Sequence, residues 1–171
     1  MSLERWQSGP IPGVPPLLQP VAHALLQAGD DVAPAGSLTA PQLWANPGGV
    51  AAVGWHLFHL AGSTDRLLTY ARGEPLTPVQ RTRLELERTL PEPRPTGTVL
   101  VEAWTSTIAA ALAQLAETAE SDLLLPRAIG RARLPTTVLG LLFHAAEHAS
   151  RHAGQVVTTM KLVEALPLGT D

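Results

Sequence analysis

Apolar residues recur every three or four positions in four stretches of the chain, which is the spacing of an amphipathic helix. Prolines remove a backbone donor and clash with the preceding helical turn, and they cluster at 10–20, 34–47, 75–78 and 91–95, between these stretches. The first predicted helix starts after Pro16 or Pro20 and ends near Gly29. The other three cover about 49–72, about 97–120, and 135 to about 166. Pro135 suits the first position of the last helix.

Strand signals are almost absent, because no segment alternates polar and apolar residues over a useful length. We therefore predict an all-α fold without a sheet. Four long amphipathic helices with long proline-rich connections are typical of an up-and-down or crossover four-helix bundle. A minor extra helix is predicted at about 78–90, in one of the connections.

Length and composition predict a single domain over residues 1–171, with a proline-rich lead-in at 1–15. The net charge of −3 gives no reason to expect a nucleic-acid or membrane partner, so we expect a small-molecule substrate. The first twenty residues lack the apolar run of a signal peptide, and we expect no stretch long enough to span a membrane. The expected location is therefore cytoplasmic.

Candidate chemistry lies in the histidines, of which the chain has six. His144, His148 and His152 repeat every four residues, so neighbours in this series share one face of a helix. The outer two would lie roughly 12 Å apart, too far to bind one ion, so only an adjacent pair can act together. A helical wheel places His152 inside the apolar stripe, His148 beside it and His144 nearer the rim.

The other two clustered histidines, His56 and His59, lie on the second predicted helix. The helical wheel alone favours His56 as the inward residue, and it leaves both open as a third ligand. Hydrogen-bonded core histidines are the alternative to a metal site. His23 and Glu147 are interpreted as solvated residues.

Two segments of this sequence resemble the DinB-like, or YfiT-like, metalloenzyme superfamily, and the resemblance covers nearly the whole chain. They read HLAGSTDRLLTYARGEPL, from His59, and LPTTVLGLLFHAAEHASRHAGQVVTTMKL, from Leu134. The resemblance implies a four-helix bundle with a divalent metal on three histidines, one from the second helix and two from an HxxxHxGQ segment on the last. Residues 148–155 match that segment.

The resemblance also implies which histidine of the second helix is the ligand. In the family an aliphatic and then a small residue follow this ligand, so His59 fits and His56 does not. The implied metal ligands are thus His59, His148 and His152. Zn or Ni is the expected metal, with Fe or Mn as alternatives, because imidazole suits several transition metals.

Characterised relatives include thiol-dependent S-transferases and isomerases that use mycothiol, bacillithiol or glutathione. The chain has no cysteine, so the resemblance implies a low-molecular-weight thiol cosubstrate from outside. A metal-dependent hydrolase and a non-enzymatic metal-binding or interaction scaffold are the alternatives. A hydrolase usually needs a general base, and no carboxylate on the last helix shares the face of the paired histidines.

Further residues are assigned to the pocket or to the surroundings of the metal: His56, His144, Ser63, Arg66 and Gln155. Arg66 is expected either to bind an anionic cosubstrate or to pair at the rim with a nearby carboxylate such as Asp65 or Glu74. A homodimer is also predicted, because Trp55 and Phe58 make the second helix apolar on more than one side. The alternative is that a proline-rich connection covers them within the monomer.

Overall fold

A computed structural model describes residues 3–165 of the chain. These residues contain six α-helices and one two-stranded antiparallel sheet. In chain order the elements are α1 (Gln19–Val32), α2 (Ala40–Trp44), α3 (Val53–Ala71), α4 (Pro78–Thr89), α5 (Gly97–Glu117), β1 (Pro126–Ile129), β2 (Leu134–Thr137) and α6 (Val138–Ala165). The all-α fold class is confirmed.

The four long helices α1, α3, α5 and α6 form a bundle in which each packs against two others. Helices α1 and α3 each pack against both α5 and α6. Two pairs of consecutive long helices are therefore diagonally opposite each other in the bundle. These pairs are α1 with α3 and α5 with α6. This arrangement is the crossover form of the bundle, and it places α3 directly against α6.

The amphipathic pattern accounts for the bundle helices. On α5 the buried residues follow the helical repeat, namely Leu100, Trp104, Ile108, Ala111 and Leu115. This stripe faces the core that α1 and α3 also bury. Thr96 caps the helix, because its hydroxyl accepts a hydrogen bond from the Val99 amide at 3.4 Å.

Helix α5 is also apolar and long enough to cross a membrane by length and composition alone. The expectation that no stretch reaches that length was therefore wrong. A long helix in the core of a bundle has the same properties, and α5 packs here against α1 and α3.

The prediction that the last helix begins at Pro135 was wrong, and so was the expectation of no sheet. Pro135 lies in β2 and faces Ala128 of β1. The helix begins at Val138, after Thr137, whose hydroxyl accepts a hydrogen bond from the Gly140 amide at 3.0 Å. Strands of four residues are too short to show an alternating pattern. The predicted helix end near Leu166 lies outside the described residues.

The minor helix predicted at 78–90 is α4, and it packs along α3. Its start is a capping box: the Thr77 hydroxyl accepts from the Gln80 amide at 3.1 Å, and the Gln80 side chain accepts from the Thr77 amide at 2.9 Å. Pro78 at the first helical position is compatible with this cap. The short helix α2 was not predicted.

Helix α4 covers the second apolar side of α3. The Trp55 indole N–H donates to the backbone oxygen of Glu87 at 2.8 Å, and the Arg83 guanidinium lies 5.1 Å from the centre of the Phe58 ring. Trp55 and Phe58 are thus covered within the chain, as the alternative interpretation had it. They give no support to a homodimer, which stays a prediction.

Candidate metal centre

The packing of α3 against α6 brings three histidines together. One ring nitrogen from each of His59, His148 and His152 lies within 4.8 Å of the others. We call these residues the histidine triad. The distance from His59 Nε2 to His148 Nε2 is 2.9 Å. Two nitrogens bound at the tetrahedral angle to one Zn²⁺ at about 2.0–2.1 Å would lie roughly 3.3 Å apart, so a movement of a few tenths of an ångström would let the pair share an ion.

The protonation state of His148 and His152 also fits a metal. Burial, together with the neighbouring histidines, lowers the pKa of His148 to about 4 and that of His152 to about 3. Both imidazoles are therefore neutral near pH 7, which is the form that binds a metal ion. The side chain of His59 is 17% exposed, so the triad remains accessible from one side.

His56 stands behind the triad rather than in it. It is 5% exposed, and its Nδ1 lies 2.8 Å from Nδ1 of His152. Burial lowers the pKa of His56 to about 4, and the nearby His59 adds to this shift. A hydrogen bond between these two nitrogens occupies one side of the His152 ring and holds its orientation. Among the histidines of α6, His56 thus contacts His152, whereas His59 lies in one group with both His148 and His152.

A carboxylate that was not predicted orients His59. Glu87 of α4 lies with Oε2 2.8 Å from Nδ1 of His59, so His59 donates to it from Nδ1 and directs Nε2 towards His148. Arg66 donates to both oxygens of the same carboxylate, at 2.6 and 3.2 Å. Burial alone would raise the pKa of Glu87, but hydrogen bonds from His59 and Arg66 hold this pKa below its ordinary value.

Gly62 makes room for this ion pair against α3. A Cβ atom at this position would lie 2.7 Å from Oε1 of Glu87 and 3.0 Å from Nη1 of Arg66. Any side chain here would push the carboxylate away from the helix. The close approach of α4 to His59 therefore depends on a glycine one turn further along the same helix.

Trp55 completes the wall around His59. Its ring stacks on the His59 imidazole, with ring centres 5.0 Å apart and planes 5° from parallel. The same indole is hydrogen-bonded to the backbone of Glu87. One face of His59 is thus held by an aromatic ring and its Nδ1 by a carboxylate, so the imidazole has little freedom to turn.

Residues 32–156 match the sequence profile of the DinB superfamily, which is well over half of the chain. The chain belongs to the DinB superfamily. A search of curated proteins found no match. The family predicted from the sequence is confirmed, and the matched range of this DinB protein contains all three triad residues. Membership and the triad together are compatible with metal binding.

Three other predicted site residues of the DinB protein, Ser63, Gln155 and His144, are not among the histidines that could hold the metal. Ser63 is buried and donates to the Leu60 backbone oxygen at 3.2 Å. Gln155 is exposed. The side chain of His144 is 48% exposed, with Nδ1 3.5 Å from Oε2 of Glu147, so it lies at the rim.

Arg66 pairs with a carboxylate, as the second interpretation had it, but the partner is Glu87 and the pair is buried rather than at the rim. It does not face an outside anion. The cation at the rim is Arg151, which sequence reasoning missed. Its Nη2 lies 3.4 Å from Nδ1 of His148, and it pairs with Glu147. Its position three residues after His148, on the same helical face, was the available signal.

Proposed function

We propose that this DinB protein is a metal-dependent enzyme that transfers a low-molecular-weight thiol to an electrophilic small molecule. The observation that supports it is the convergence of three half-buried, partly accessible imidazoles from two packed helices. Three protein ligands, rather than four, are typical of catalytic metal sites, since they leave a position for an outside molecule.

The triad would hold a divalent metal, for which we propose Zn or Ni, with Fe or Mn as alternatives. When bound, such a metal acts as a Lewis acid and favours the thiolate form of a thiol. The surrounding residues support the ligands. Glu87 keeps the proton of His59 on Nδ1, His56 fixes the ring of His152, and Trp55 shields one face of His59.

The thiol must come from outside because the sequence contains no cysteine. In the proposed reaction the thiolate sulfur forms a bond to an electrophilic carbon as that carbon loses halide, or as an epoxide C–O bond opens. The thiol proton passes to solvent in the first case and to the epoxide oxygen in the second. No net oxidation or reduction occurs.

The carboxylates that contact the histidines favour thiol transfer over hydrolysis. Glu87 is buried between His59 and Arg66, and Glu147 is paired with Arg151. A hydrolase would need a general base within hydrogen-bond reach of its water. Because both carboxylates are already engaged by cations or imidazole, neither is well suited to accept that proton.

Metal binding is tested first, by elemental analysis and calorimetric titration of the purified chain. We expect about one equivalent of metal per chain, and loss of binding in His59→Ala, His148→Ala and His152→Ala. The control is His23→Ala, because the His23 ring contacts the Gly9 backbone oxygen and lies outside the triad. Full metal occupancy in His148→Ala or His152→Ala would reject the site.

Activity is tested second, on the metal-loaded chain with glutathione, bacillithiol or mycothiol and a haloaromatic or epoxide electrophile. We expect conjugation only when both metal and a suitable thiol are present, and its loss in all three triad variants. Metal-dependent ester or amide cleavage without thiol would favour the hydrolase instead. A loaded protein inactive in both assays would favour a metal-binding scaffold.

A further inference from the structure

A cleft lies beside α4, and its lining includes neither the histidine triad nor Glu87. It has a volume of about 1120 Å³ and is bounded by α4, the end of α3 and the β1–β2 hairpin. Five arginines line it: Arg81, Arg88, Arg127, Arg131 and Arg133. We call it the arginine cleft.

The charge of the arginine cleft contrasts with that of the chain. Its lining has five arginines and two glutamates, a formal charge of +3, whereas the whole chain carries −3. One of these glutamates, Glu74, is already paired with Arg72. Positive charge is thus concentrated at one place on an otherwise slightly acidic protein.

The arginines of the cleft also differ in their partners from the other arginines of the described residues, except Arg83. Within residues 3–165, the arginines that form ion pairs with carboxylates all lie outside the cleft lining, namely Arg5, Arg66, Arg72, Arg94 and Arg151. In the same range no cleft arginine has a carboxylate within ion-pair distance. Like charges gathered without counter-charges repel one another, and a bound anion would relieve that repulsion.

Two of these arginines are held in place by the backbone. Arg127 donates from Nε to the Ala71 oxygen at 2.7 Å and from Nη1 to the Pro126 oxygen at 2.9 Å. Arg81 donates to the Leu76 oxygen. Carbonyl partners orient a guanidinium without neutralising it, so both retain their charge for a ligand.

The rest of the lining is suited to an organic body rather than to a bare ion. Tyr70, Leu76 and Leu84 contribute aromatic and aliphatic surface beside the arginines. Leu84 lies between Arg81 and Arg88 on one face of α4. Mainly apolar walls with a few convergent charged groups are typical of small-molecule sites.

We propose that the arginine cleft binds a phosphorylated small molecule that carries at least two negative charges. Guanidinium groups bind phosphate oxygens through paired hydrogen bonds, and several arginines around one cleft match an anion of multiple charge. A nucleic-acid strand is less suited to the cleft, because positive charge is concentrated at this one place while the chain as a whole is acidic. This proposal does not depend on the metal centre.

The test is calorimetric titration of the full, metal-free chain at low salt with two probes, inorganic pyrophosphate and ADP. We expect saturable binding at one site that weakens as salt is added, with ADP the tighter probe because its organic part contacts Tyr70 and Leu84. The variant Arg131→Gln/Arg133→Gln should weaken both probes about tenfold or more. Both arginines are exposed, so the variant should fold normally, which circular dichroism checks.

Arg94→Gln is the matched control, since Arg94 is a surface arginine that pairs with Glu92 outside the cleft. It should bind both probes as the unchanged chain does. The proposal is overturned if neither probe saturates in the millimolar range, or if the double variant binds like the unchanged chain. It is also overturned if a single-stranded oligonucleotide binds the cleft more tightly than ADP.

Discussion

The α1–α5 interface and the α3–α6 interface each join two long helices of the bundle, but they bury different kinds of side chain. Between α1 and α5 the buried side chains are apolar, with Leu25 and Trp104 both completely or almost completely buried. Between α3 and α6 the bundle encloses imidazoles, backed by a buried Glu87–Arg66 pair. The apolar α1–α5 interface stabilises the fold. The α3–α6 interface includes buried polar groups, which lower the stability of the fold unless they are paired.

Truncation of the apolar side should give the largest loss of stability. Trp104→Ala removes a completely buried indole from α5 and should lower the free energy of unfolding by about 3–5 kcal/mol. Metal affinity of the folded fraction should not change, since Trp104 lies on a helix that does not carry the triad. Urea unfolding of the metal-free chain and metal titration measure the two effects. A loss of metal affinity would show that the two sides are not independent.

On the polar side, Glu87→Gln should reduce both metal affinity and stability. His59 loses its ionised acceptor, and partners of this kind are typically worth about 10–100-fold in metal affinity. Arg66 is left buried without a counter-charge, which costs about 3 kcal/mol or more. Calorimetry and urea unfolding separate these contributions.

The double variant Arg66→Gln/Glu87→Gln is the control for the stability effect. It removes both buried charges, so it should be more stable than Glu87→Gln while metal affinity stays low. If the double variant recovered full affinity, Glu87 would act only through the fold and not on His59.

Two glycines of the bundle provide a matched pair of smaller changes. Gly62→Ala places a Cβ atom 2.7 Å from Glu87 Oε1, so it should cost about 1–3 kcal/mol and weaken metal binding. Gly154→Ala on α6 meets no atom within 4 Å and should stabilise the helix by up to about 1 kcal/mol. Thermal unfolding and metal titration of both variants test the contrast. Equal behaviour would contradict the close approach of α4 to α3.

The buried imidazoles should also make the metal-free chain sensitive to acid. In the unfolded chain a histidine has its ordinary pKa of 6.5, but in the folded chain the pKa values of His56 and His148 are about 4. Between these values the unfolded state binds more protons, so stability should fall as the pH drops from 6.5 towards 4 and should be flat above that range.

Urea unfolding in the presence of a chelator measures this dependence. His56→Gln should reduce the slope between pH 6.5 and 4, because it removes one of the titrating groups. His23→Gln is the control variant, because the His23 ring contacts the Gly9 backbone oxygen and lies outside the centre. A stability that did not change from pH 7 to pH 5 would contradict the burial of these rings as neutral groups.

The helices of the bundle could be predicted because their signals are local. The apolar repeat on 97–120 found α5 to within a few residues, and capping and proline signals found α4. The hairpin could not be found in this way, because two strands of four residues carry no pattern of their own. Its pairing depends on the turn between them.

The same distinction applies to the centre. The spacing of His148 and His152 is visible on one helix, and the family resemblance pointed to His59. The roles of Glu87 and Trp55 arise only when α4 packs on α3, so nothing in the pattern of either helix alone separates Glu87 from Glu85. A helical wheel favoured His56 because it measures burial, and His56 is indeed the more buried of the two.

The most direct test of the metal centre is a crystal structure of the metal-soaked chain with anomalous data at the absorption edge of the metal. We expect one strong peak within about 2.0–2.1 Å of a ring nitrogen from each of His59, His148 and His152. Glu87 should remain hydrogen-bonded to His59. A peak bound by His56 in place of His59, or no peak at saturating metal, would contradict this expectation.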